Sequence, residues 1–174
     1  MGRVRIAERF EVPLRIRHRI GRSRAMDSRL REVEVSARHL SIAWDGRRWL
    51  VCDLGSVNGT LLNGEPLTPG EGVPLQRGAV LELGAAVQVV LVDDGPPVVA
   101  ARCGELLLEG GPDALAIPSA DDPDLVVQRD PGGGWVATTA TTRTPVFDGA
   151  RLTVGSRRWT LSLPDPLGDA EGEE

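Results

Sequence analysis

The stretch Asp53-Leu-Gly-Ser-Val-Asn-Gly-Thr60 decides the fold, because it places turn chemistry between two short apolar runs. Asn-Gly is a strong turn dipeptide, since both residues tolerate positive φ. The runs on either side, Arg48–Asp53 and Thr60–Leu62, have the length and apolar content of strands. Two more turn dipeptides, Asp45-Gly46 and Asn63-Gly64, lie just beyond them. This part of the chain therefore predicts short strands joined by tight connections.

The same pattern of strands and turns continues in both directions. No stretch has a sustained helical period with caps, and 21 Gly, 13 Pro and 3% aromatic residues agree with an all-β chain. The strand spacing predicts an antiparallel β-sandwich. The other strands expected in the first half are Arg3–Ala7, Leu14–Ile20, Glu32–Val35, His39–Trp44, Val80–Leu83 and Val87–Val92.

A domain boundary is predicted at Asp93-Asp-Gly-Pro-Pro97, which is polar and rich in proline. We expect one domain over residues 1–94, a smaller all-β unit over 95–164 and a disordered acidic tail over 165–174. Strands expected in the second unit are Val98–Arg102, Glu105–Leu108, Ala114–Ile117, Leu125–Arg129, Trp135–Thr139, Val146–Asp148, Leu152–Val154 and Arg158–Leu163.

A weak internal repeat links the two halves. Two β meanders can also look alike by chance, but a true repeat would make the second unit a shorter copy of the first. The segments that match are Leu40–Trp49 with Leu125–Trp135, Leu81–Gly84 with Leu152–Gly155, and Asn63-Gly64 with Asp148-Gly149.

The charge is unevenly distributed. Residues 1–50 contain 13 Arg and 6 acidic residues, so 13 − 6 gives +7, whereas the whole chain has a net charge of −5. Every basic residue is Arg, whose planar guanidinium suits phosphate and carboxylate; a GC-rich gene would also produce this bias. The first 50 residues therefore favour an anionic partner. Nucleic acid is disfavoured, because aromatic residues for base stacking are few and the second half is acidic.

Catalytic and metal sites are not predicted. A Walker-type loop needs Lys, which the chain lacks. A Ser-His-Asp arrangement of Ser36 or Ser56, His39 and Asp53 would lack the Gly-x-Ser-x-Gly elbow. Zinc would need the ligands His18, His39, Cys52 and Cys103, which are not at ligand spacing. We therefore expect no enzyme, no cofactor and no metal.

The sequence also predicts a cytoplasmic protein without a membrane segment. The first residues lack the apolar run of a signal peptide, and no stretch reaches the roughly 20 apolar residues of a membrane helix. Two cysteines do not make a disulfide framework.

Four segments of the first half carry a more specific pattern: Ile20-Gly-Arg-Ser23, Val35–Ile42, Asp53–Gly64 and Leu75–Gly84. In this order and spacing, they resemble the forkhead-associated (FHA) domain over roughly residues 5–93. The resemblance implies an eleven-stranded sandwich whose loops at one end bind phosphothreonine peptides. Its implied partners are a phosphothreonine-containing protein and a Ser/Thr kinase or its substrate. The Arg-only composition adds the expectation of a bacterial source.

The resemblance also implies roles for single residues. Arg22 would grip the phosphate after a tight turn at Gly21, Ser36 would donate its hydroxyl, and Asn58 would bond the peptide backbone. The further residues that it places beside the peptide are Arg38 and Val57, and those that it makes structural supports of the site are His39, Gly59 and Thr60.

Departures from the family pattern leave alternatives open. Ala37 stands where the family often has a basic residue that can contact the peptide, and Val57 stands where it often has Ser or Thr. Taken alone, Arg22 is a solvated surface residue and Ser36 caps its own turn. The competing function is a phosphate-independent FHA-like scaffold or oligomerisation protein.

Other residues of the pattern have structural interpretations. His18 is expected on an exposed strand face, Cys52 in the core, and the four Trp in cores or on sheet faces. In the second half, Pro118-Ser119 stands where Gly-Arg is expected, which predicts a degenerate unit unable to clamp phosphate.

Overall fold

The alternating runs of the first half form two sheets in the computed structural model, which describes residues 1–7 and 10–164. The chain divides into two compact units, Met1–Pro96 and the chain from Pro97 onward. The strands of the first unit are β1 Arg3–Ile6, β2 Phe10–Pro13, β3 Arg17–Gly21, β4 Ser28–Arg29, β5 Leu40–Trp44, β6 Trp49–Asp53, β7 Thr60–Leu62, β8 Glu65–Pro66, β9 Val73–Pro74, β10 Val80–Leu83 and β11 Val87–Asp93.

Two sheets build the sandwich of the first unit. One has the order β2-β1-β11-β10-β7-β8, and the other has the order β4-β3-β5-β6-β9. All neighbours are antiparallel except β3 and β4, which pair in parallel through Ile20 with Ser28 and Gly21 with Arg29. The predicted all-β sandwich is therefore confirmed.

The core of the first unit is built by alternate strand residues, as period-two patterning requires. Burying each aliphatic side chain of this size contributes about 1.5–3 kcal/mol. The fully buried members include Val4, Ile20, Leu40, Ile42, Trp49, Val51, Leu83 and Val89.

Three local predictions are wrong. Glu32–Val35 forms a turn instead of a strand, closed by a bond from the Val35 N–H to the Glu32 carbonyl at 3.1 Å. His18 is only 2% exposed, because it packs against Ser28 of the short strand β4 and not against solvent. Cys52 is half-buried and lies outside the core.

The second unit also has two sheets, each of four strands. Their orders are β13-β12-β19-β18 and β14-β15-β16-β17. Trp135, Trp159 and Leu161 lie in a core of its own. The strands are β12 Ala100–Cys103, β13 Leu106–Glu109, β14 Ala114–Ile117, β15 Leu125–Arg129, β16 Trp135–Thr138, β17 Arg143–Val146, β18 Arg151–Val154 and β19 Arg157–Ser162. The strand predicted at Val146–Asp148 therefore ends at Val146. Phe147 begins a turn instead, in which the Ala150 N–H donates to the Phe147 carbonyl at 3.0 Å.

The strand orders of the two units correspond. The order β13-β12-β19-β18 repeats β2-β1-β11-β10, and β14-β15-β16-β17 repeats β3-β5-β6-β9. Registers agree as well: Leu50 faces Pro74 in the first unit, and Val136 faces Pro145 in the second.

The expected match of Asn63-Gly64 with Asp148-Gly149 is wrong. The Gly149 N–H bonds the Leu161 carbonyl at 3.0 Å, as the Gly78 N–H bonds the Leu91 carbonyl at 2.7 Å. The register of the following hairpins agrees with this pairing, so Gly149 corresponds to Gly78.

The second unit differs from the first in its connections. Residues 22–39 join β3 to β5 in the first unit, whereas residues 118–124 alone join β14 to β15. The first unit also places β7 and β8 between β6 and β9, whereas β16 passes directly to β17. The predicted tail at 165–174 lies outside the described residues. Within the described part of the chain, no helix is long and apolar enough to cross a membrane.

Candidate functional site

Strand pairing brings three chain segments to one end of the first sandwich. Leu40 at the start of β5 faces Ile20 near the end of β3 and Asp53 at the end of β6. The loops that leave these strand ends, 22–39 and 54–59, therefore meet at the same edge. The predicted Arg22, Ser36 and Asn58 all lie on these two loops. The loop carrying Asn58 connects the two sheets and is not a two-residue hairpin.

Gly21 lets two backbones come unusually close. A Cβ built at Gly21 would lie 2.5 Å from the Ala37 carbonyl oxygen and 3.0 Å from that of Ser36. Real Cβ atoms do not approach backbone so closely, so any side chain would push the 36–37 segment away. The residue belongs to strand β3, which corrects the predicted reason for glycine here: close approach, and not a tight turn.

The Arg22 backbone is fastened to the segment that carries Ser36. The Arg22 N–H donates to the Ser36 carbonyl at 2.9 Å, and the Ser23 N–H donates to the Ala37 carbonyl at 3.0 Å. The Arg22 side chain is exposed, and within the described residues it has no acidic partner. Its guanidinium thus keeps its donors for a ligand.

The Ser36 hydroxyl joins the two loops. Its oxygen accepts the Val57 N–H at 2.9 Å. A serine hydroxyl can accept and donate at once, so its own hydrogen can still be donated to an anion. The same loop is tied again by Asn58, whose Nδ2 donates to the Glu34 carbonyl at 2.9 Å. This bond uses one amide hydrogen and leaves the second hydrogen and Oδ1 for other partners.

His39 is hydrogen-bonded to both loops. It is fully buried, its Nδ1 accepts the Ser36 N–H at 3.0 Å, and its Nε2 donates to the Gly59 carbonyl at 3.1 Å. Gly59 has φ +76°, a conformation that suits glycine. Burial lowers the pKa of His39, against the opposing effects of the Gly59 carbonyl and Asp53. The neutral ring fits both bonds, because protonation would remove the acceptor that Ser36 uses.

Asp53 is a supporting residue that the sequence prediction missed. Its carboxylate accepts the Gly55 and Ser56 N–H groups at 2.9 and 2.8 Å and the Ser56 hydroxyl at 2.6 Å. It also accepts the Thr60 hydroxyl at 2.5 Å. Burial alone would raise the pKa of Asp53, but the bonds from Ser56, Thr60 and Gly55 outweigh burial and lower that pKa. The signal was present in the sequence: Asp followed by Gly and Ser at two and three residues is typical of an Asx-turn.

Three hydrogen bonds connect four residues of the site in series. Val57 bonds Ser36, Ser36 bonds Arg22, and the Arg22 carbonyl accepts Nε of Arg29 at 3.1 Å. We call Val57, Ser36, Arg22 and Arg29 the recognition row. Val57 is 87% exposed at one end of this row, and Arg29 is exposed at the other end. Arg38, also predicted to touch a ligand, is exposed but is not a member of the row.

The arrangement can bind an anion without a metal. Arg22 offers a charged fork, Ser36 offers a hydroxyl, and both stand on backbones locked to each other. The described residues contain no cluster of His, Cys, Asp and Glu that could hold a metal ion.

Comparison with known proteins agrees with this fold. Residues 18–84, which lie within the first unit, match the FHA domain family model. The FHA domain-containing protein At4g14490 of Arabidopsis thaliana is 38% identical over 80 residues, which cover 44% of this chain and 21% of that protein. The FHA domain-containing protein FhaA of Mycobacterium tuberculosis is 41% identical over 71 residues, covering 41% of this chain and 13% of FhaA. The matches therefore span about a fifth or less of these relatives' lengths.

Two solved structures are similar to part of this chain. An FHA domain from a study of phosphothreonine-dependent FHA domain interactions is 31% identical, with a TM-score of 0.49, and the match covers 55% of this chain and 98% of that one. The FhaA FHA domain in complex with the intracellular domain of Rv3910 is 32% identical, with a TM-score of 0.48, covering 52% of this chain and 99% of that one.

Proposed function

We propose that the first unit binds a phosphothreonine-containing segment of a partner protein and has no catalytic role. The observation that carries the proposal is the pairing of Arg22 with Ser36: an exposed guanidinium and a hydroxyl donor stand on backbones joined at 2.9 Å. The match of residues 18–84 to the FHA family supports it further. The competing function, a scaffold independent of phosphate, would have no need of these two donors.

The physical argument starts from the ligand. A phosphothreonine carries a charge of about −1.5 to −2 and three strong acceptor oxygens. Arg22 would contribute paired, charge-assisted bonds and Ser36 one more, while Asn58 would bond the peptide backbone beside them. Gly21, His39, Gly59, Thr60 and Asp53 would act through the loops that they fix. Arg38 and Val57 would contact residues that flank the phosphothreonine.

The decisive experiment is binding of the full chain to a phosphothreonine peptide library, with the same peptides unphosphorylated. Replacing Arg22 with Ala should weaken the affinity by roughly a hundredfold or more, because two charge-assisted bonds at about 1.5–3 kcal/mol each are lost. Isothermal titration calorimetry with an enriched peptide measures this change.

The matched control is Arg47→Ala. Arg47 is exposed at the β5–β6 turn, and the pairing of Trp44 with Trp49 puts this turn at the far end of the sheet from Leu40 and Asp53. The control removes the same charge and should leave the affinity within about twofold. Equal binding of phosphorylated and unphosphorylated peptides would contradict the proposal and favour the phosphate-independent scaffold.

We further propose a division of labour in which 1–94 is the binding domain and 95–164 is a degenerate copy of it. The shared strand orders support this. Ile117 faces Leu125 as Ile20 faces Leu40, so Pro118 and Ser119 are at the positions that Gly21 and Arg22 have in the first unit. The copy has no equivalents of the loops that hold Ser36 and Asn58. Binding left in the Arg22→Ala chain that a Ser119→Ala change removed would contradict the degenerate assignment.

The cellular setting is also part of the proposal. Phosphothreonine requires a Ser/Thr kinase, so the partner is such a kinase or one of its substrates, in the cytoplasm of a bacterium. Both cysteines are free, which suits a reducing compartment. Cell fractionation of the producing organism, with the kinase gene deleted as a comparison, tests location and partner together; a secreted protein, or one whose partner binding survives the deletion, would refute it.

A further inference from the structure

The recognition row ends at Arg29, a second exposed arginine with a defined position. Asn58 lies next to Val57, at the other end of the row. Arg29 lies on β4, which pairs in parallel with β3, and its partner in the register is Gly21. Its Nε donates to the Arg22 carbonyl at 3.1 Å. The guanidinium is thus anchored beside Arg22 through one donor, and its four remaining N–H donors point to no acidic side chain within the described residues.

Other arginines of this region differ in their pairing. Asp27 forms salt bridges with Arg15 at 3.2 Å and with Arg19 at 3.5 Å. Within the described part of the chain, no salt bridge joins Arg22 or Arg29 to an acidic residue, and Arg29 Nε is held at 3.1 Å from the Arg22 carbonyl. An anion bound at Arg29 would supply a counterion for its guanidinium.

Val57, at the other end of the row, is followed by Asn58, which is bonded to the acidic residue Glu34. Glu34 is exposed, and its carbonyl accepts the Asn58 side chain at 2.9 Å. A bound peptide that places its phosphate on Arg22 and Ser36 would therefore extend toward Asn58 and Glu34 on one side and toward Arg29 on the other. The two directions differ in charge.

We infer that Arg29 forms a second anion-binding position, which selects phosphothreonine peptides with an acidic group on the side of the phosphothreonine away from Asn58. The inference rests on the proposed function of Arg22 and Ser36. A glutamate or aspartate side chain and a second phosphate offer the same chemistry to Arg29. Glu34 adds the complementary effect, since it disfavours an acidic group on the Asn58 side and favours a basic one.

The test uses the full chain and one phosphothreonine peptide sequence made in several forms. Gln, Glu or phosphoserine is placed one to three positions before the phosphothreonine in one set and after it in another. We expect Glu to strengthen binding about threefold to fivefold over Gln on one side only, the upper part of the range of an exposed ion pair. Phosphoserine should strengthen binding at least as much on that side, and a larger gain for phosphoserine than for Glu would identify a second phosphate as the better ligand.

In the variant Arg29→Gln, the affinities of the Glu and phosphoserine peptides should fall to that of the Gln peptide measured with the same variant, so that the Gln-to-Glu ratio becomes about one on the Arg29 side. Arg47→Gln, which removes an equal charge at the far end of the sheet, should keep the wild-type ratios. Glu34→Gln should reduce the loss of affinity that a peptide Glu causes on the Asn58 side of the phosphothreonine. It should leave the gain in affinity on the Arg29 side unchanged. This variant spares the Arg29 contact, so it tests the charge asymmetry even if Arg29→Gln folds poorly.

The outcomes separate the two levels of inference. Loss of all phosphate dependence would refute the proposed function itself. Phosphate-dependent binding with a Gln-to-Glu ratio near one on both sides, or an unaltered ratio in Arg29→Gln, would overturn the second anion position alone. Equal weakening of every peptide by Arg29→Gln would also overturn it, because Arg29 would then only position Arg22.

Discussion

At the scale of the residue, Gly21 shows how one missing side chain sets the geometry of the site. Its ideal Cβ would meet the Ala37 carbonyl oxygen at 2.5 Å, and that atom belongs to the segment bonded to Arg22. Gly21→Ala must therefore separate Arg22 from Ser36, and we expect it to lower phosphopeptide affinity at least tenfold and to reduce the free energy of unfolding by about 1–3 kcal/mol. Calorimetry and chemical denaturation measure both quantities.

Gly72→Ala is the matched control for this residue. A Cβ at Gly72 would meet only Leu50 Cδ1 at 3.6 Å, an ordinary contact, so both affinity and stability should stay close to those of the wild type. Wild-type affinity in Gly21→Ala would show that the close approach is not needed for binding.

Residues of the site differ in how far sequence could foresee them. Arg22, Ser36 and Asn58 were found because they recur in a family pattern. Asp53 was missed because a carboxylate at the end of a strand resembles any solvated acid until its four donors are seen around it. Arg29 could not be found from spacing, since its position depends on the parallel pairing of β4 with β3.

At the scale of the element, β3 shows that a period-two pattern can identify a strand without identifying which of its faces is buried. The period-two pattern predicted a strand ending at Ile20, and the structure has β3 over Arg17–Gly21. It placed His18 toward solvent, yet His18 Nε2 bonds Ser28 Oγ at 2.8 Å and Nδ1 accepts the Arg15 N–H at 3.3 Å. The strand that shields His18 from solvent is β4, which has two residues and is too short to be predicted from the sequence.

The buried His18 makes the stability of this element depend on pH. Burial lowers the pKa of His18 from 6.5 to about 4, with Asp27 opposing the shift and Arg15 and Arg19 adding to it. The folded state thus holds the ring neutral, so the stabilisation is complete above the unfolded pKa near 6.5 and is lost as pH falls toward 4. That difference corresponds to about 3 kcal/mol. His18→Gln should flatten the fall in Tm between pH 6.5 and 5.

His39, the other histidine of the chain, provides the comparison. Burial lowers the pKa of His39 in the same direction, so His39→Gln should remove its own part of the pH dependence. It should also weaken phosphopeptide binding, because Ser36 and Gly59 lose their shared support, whereas His18→Gln should leave binding at the wild-type level. A pH profile of Tm that is the same in His18→Gln and the wild type would refute the role of His18.

At the scale of the whole molecule, two hydrophobic cores with no residue in common predict two separate unfolding events. The first is built around Trp49 and the second around Trp159, each at most 1% exposed. The sequence foresaw two β units from the break at 93–97, because Pro and Gly interrupt the alternation there. It could not foresee the loss of long loops in the second unit, since a missing loop leaves no residues to interpret.

Trp159→Ala should destabilise the second unit by about 3–5 kcal/mol through the cavity that it leaves. Phosphopeptide affinity should not change, because every residue of the recognition row lies in the first unit. Trp49→Ala is the matched variant: the same side chain is removed from the other core, and binding should fall along with stability. Calorimetric scans with and without phosphopeptide distinguish the units, since ligand should raise only the Tm of the unit that binds it. A single transition that both variants lower equally, with binding lost in both, would mean that the second unit is required for the fold of the first.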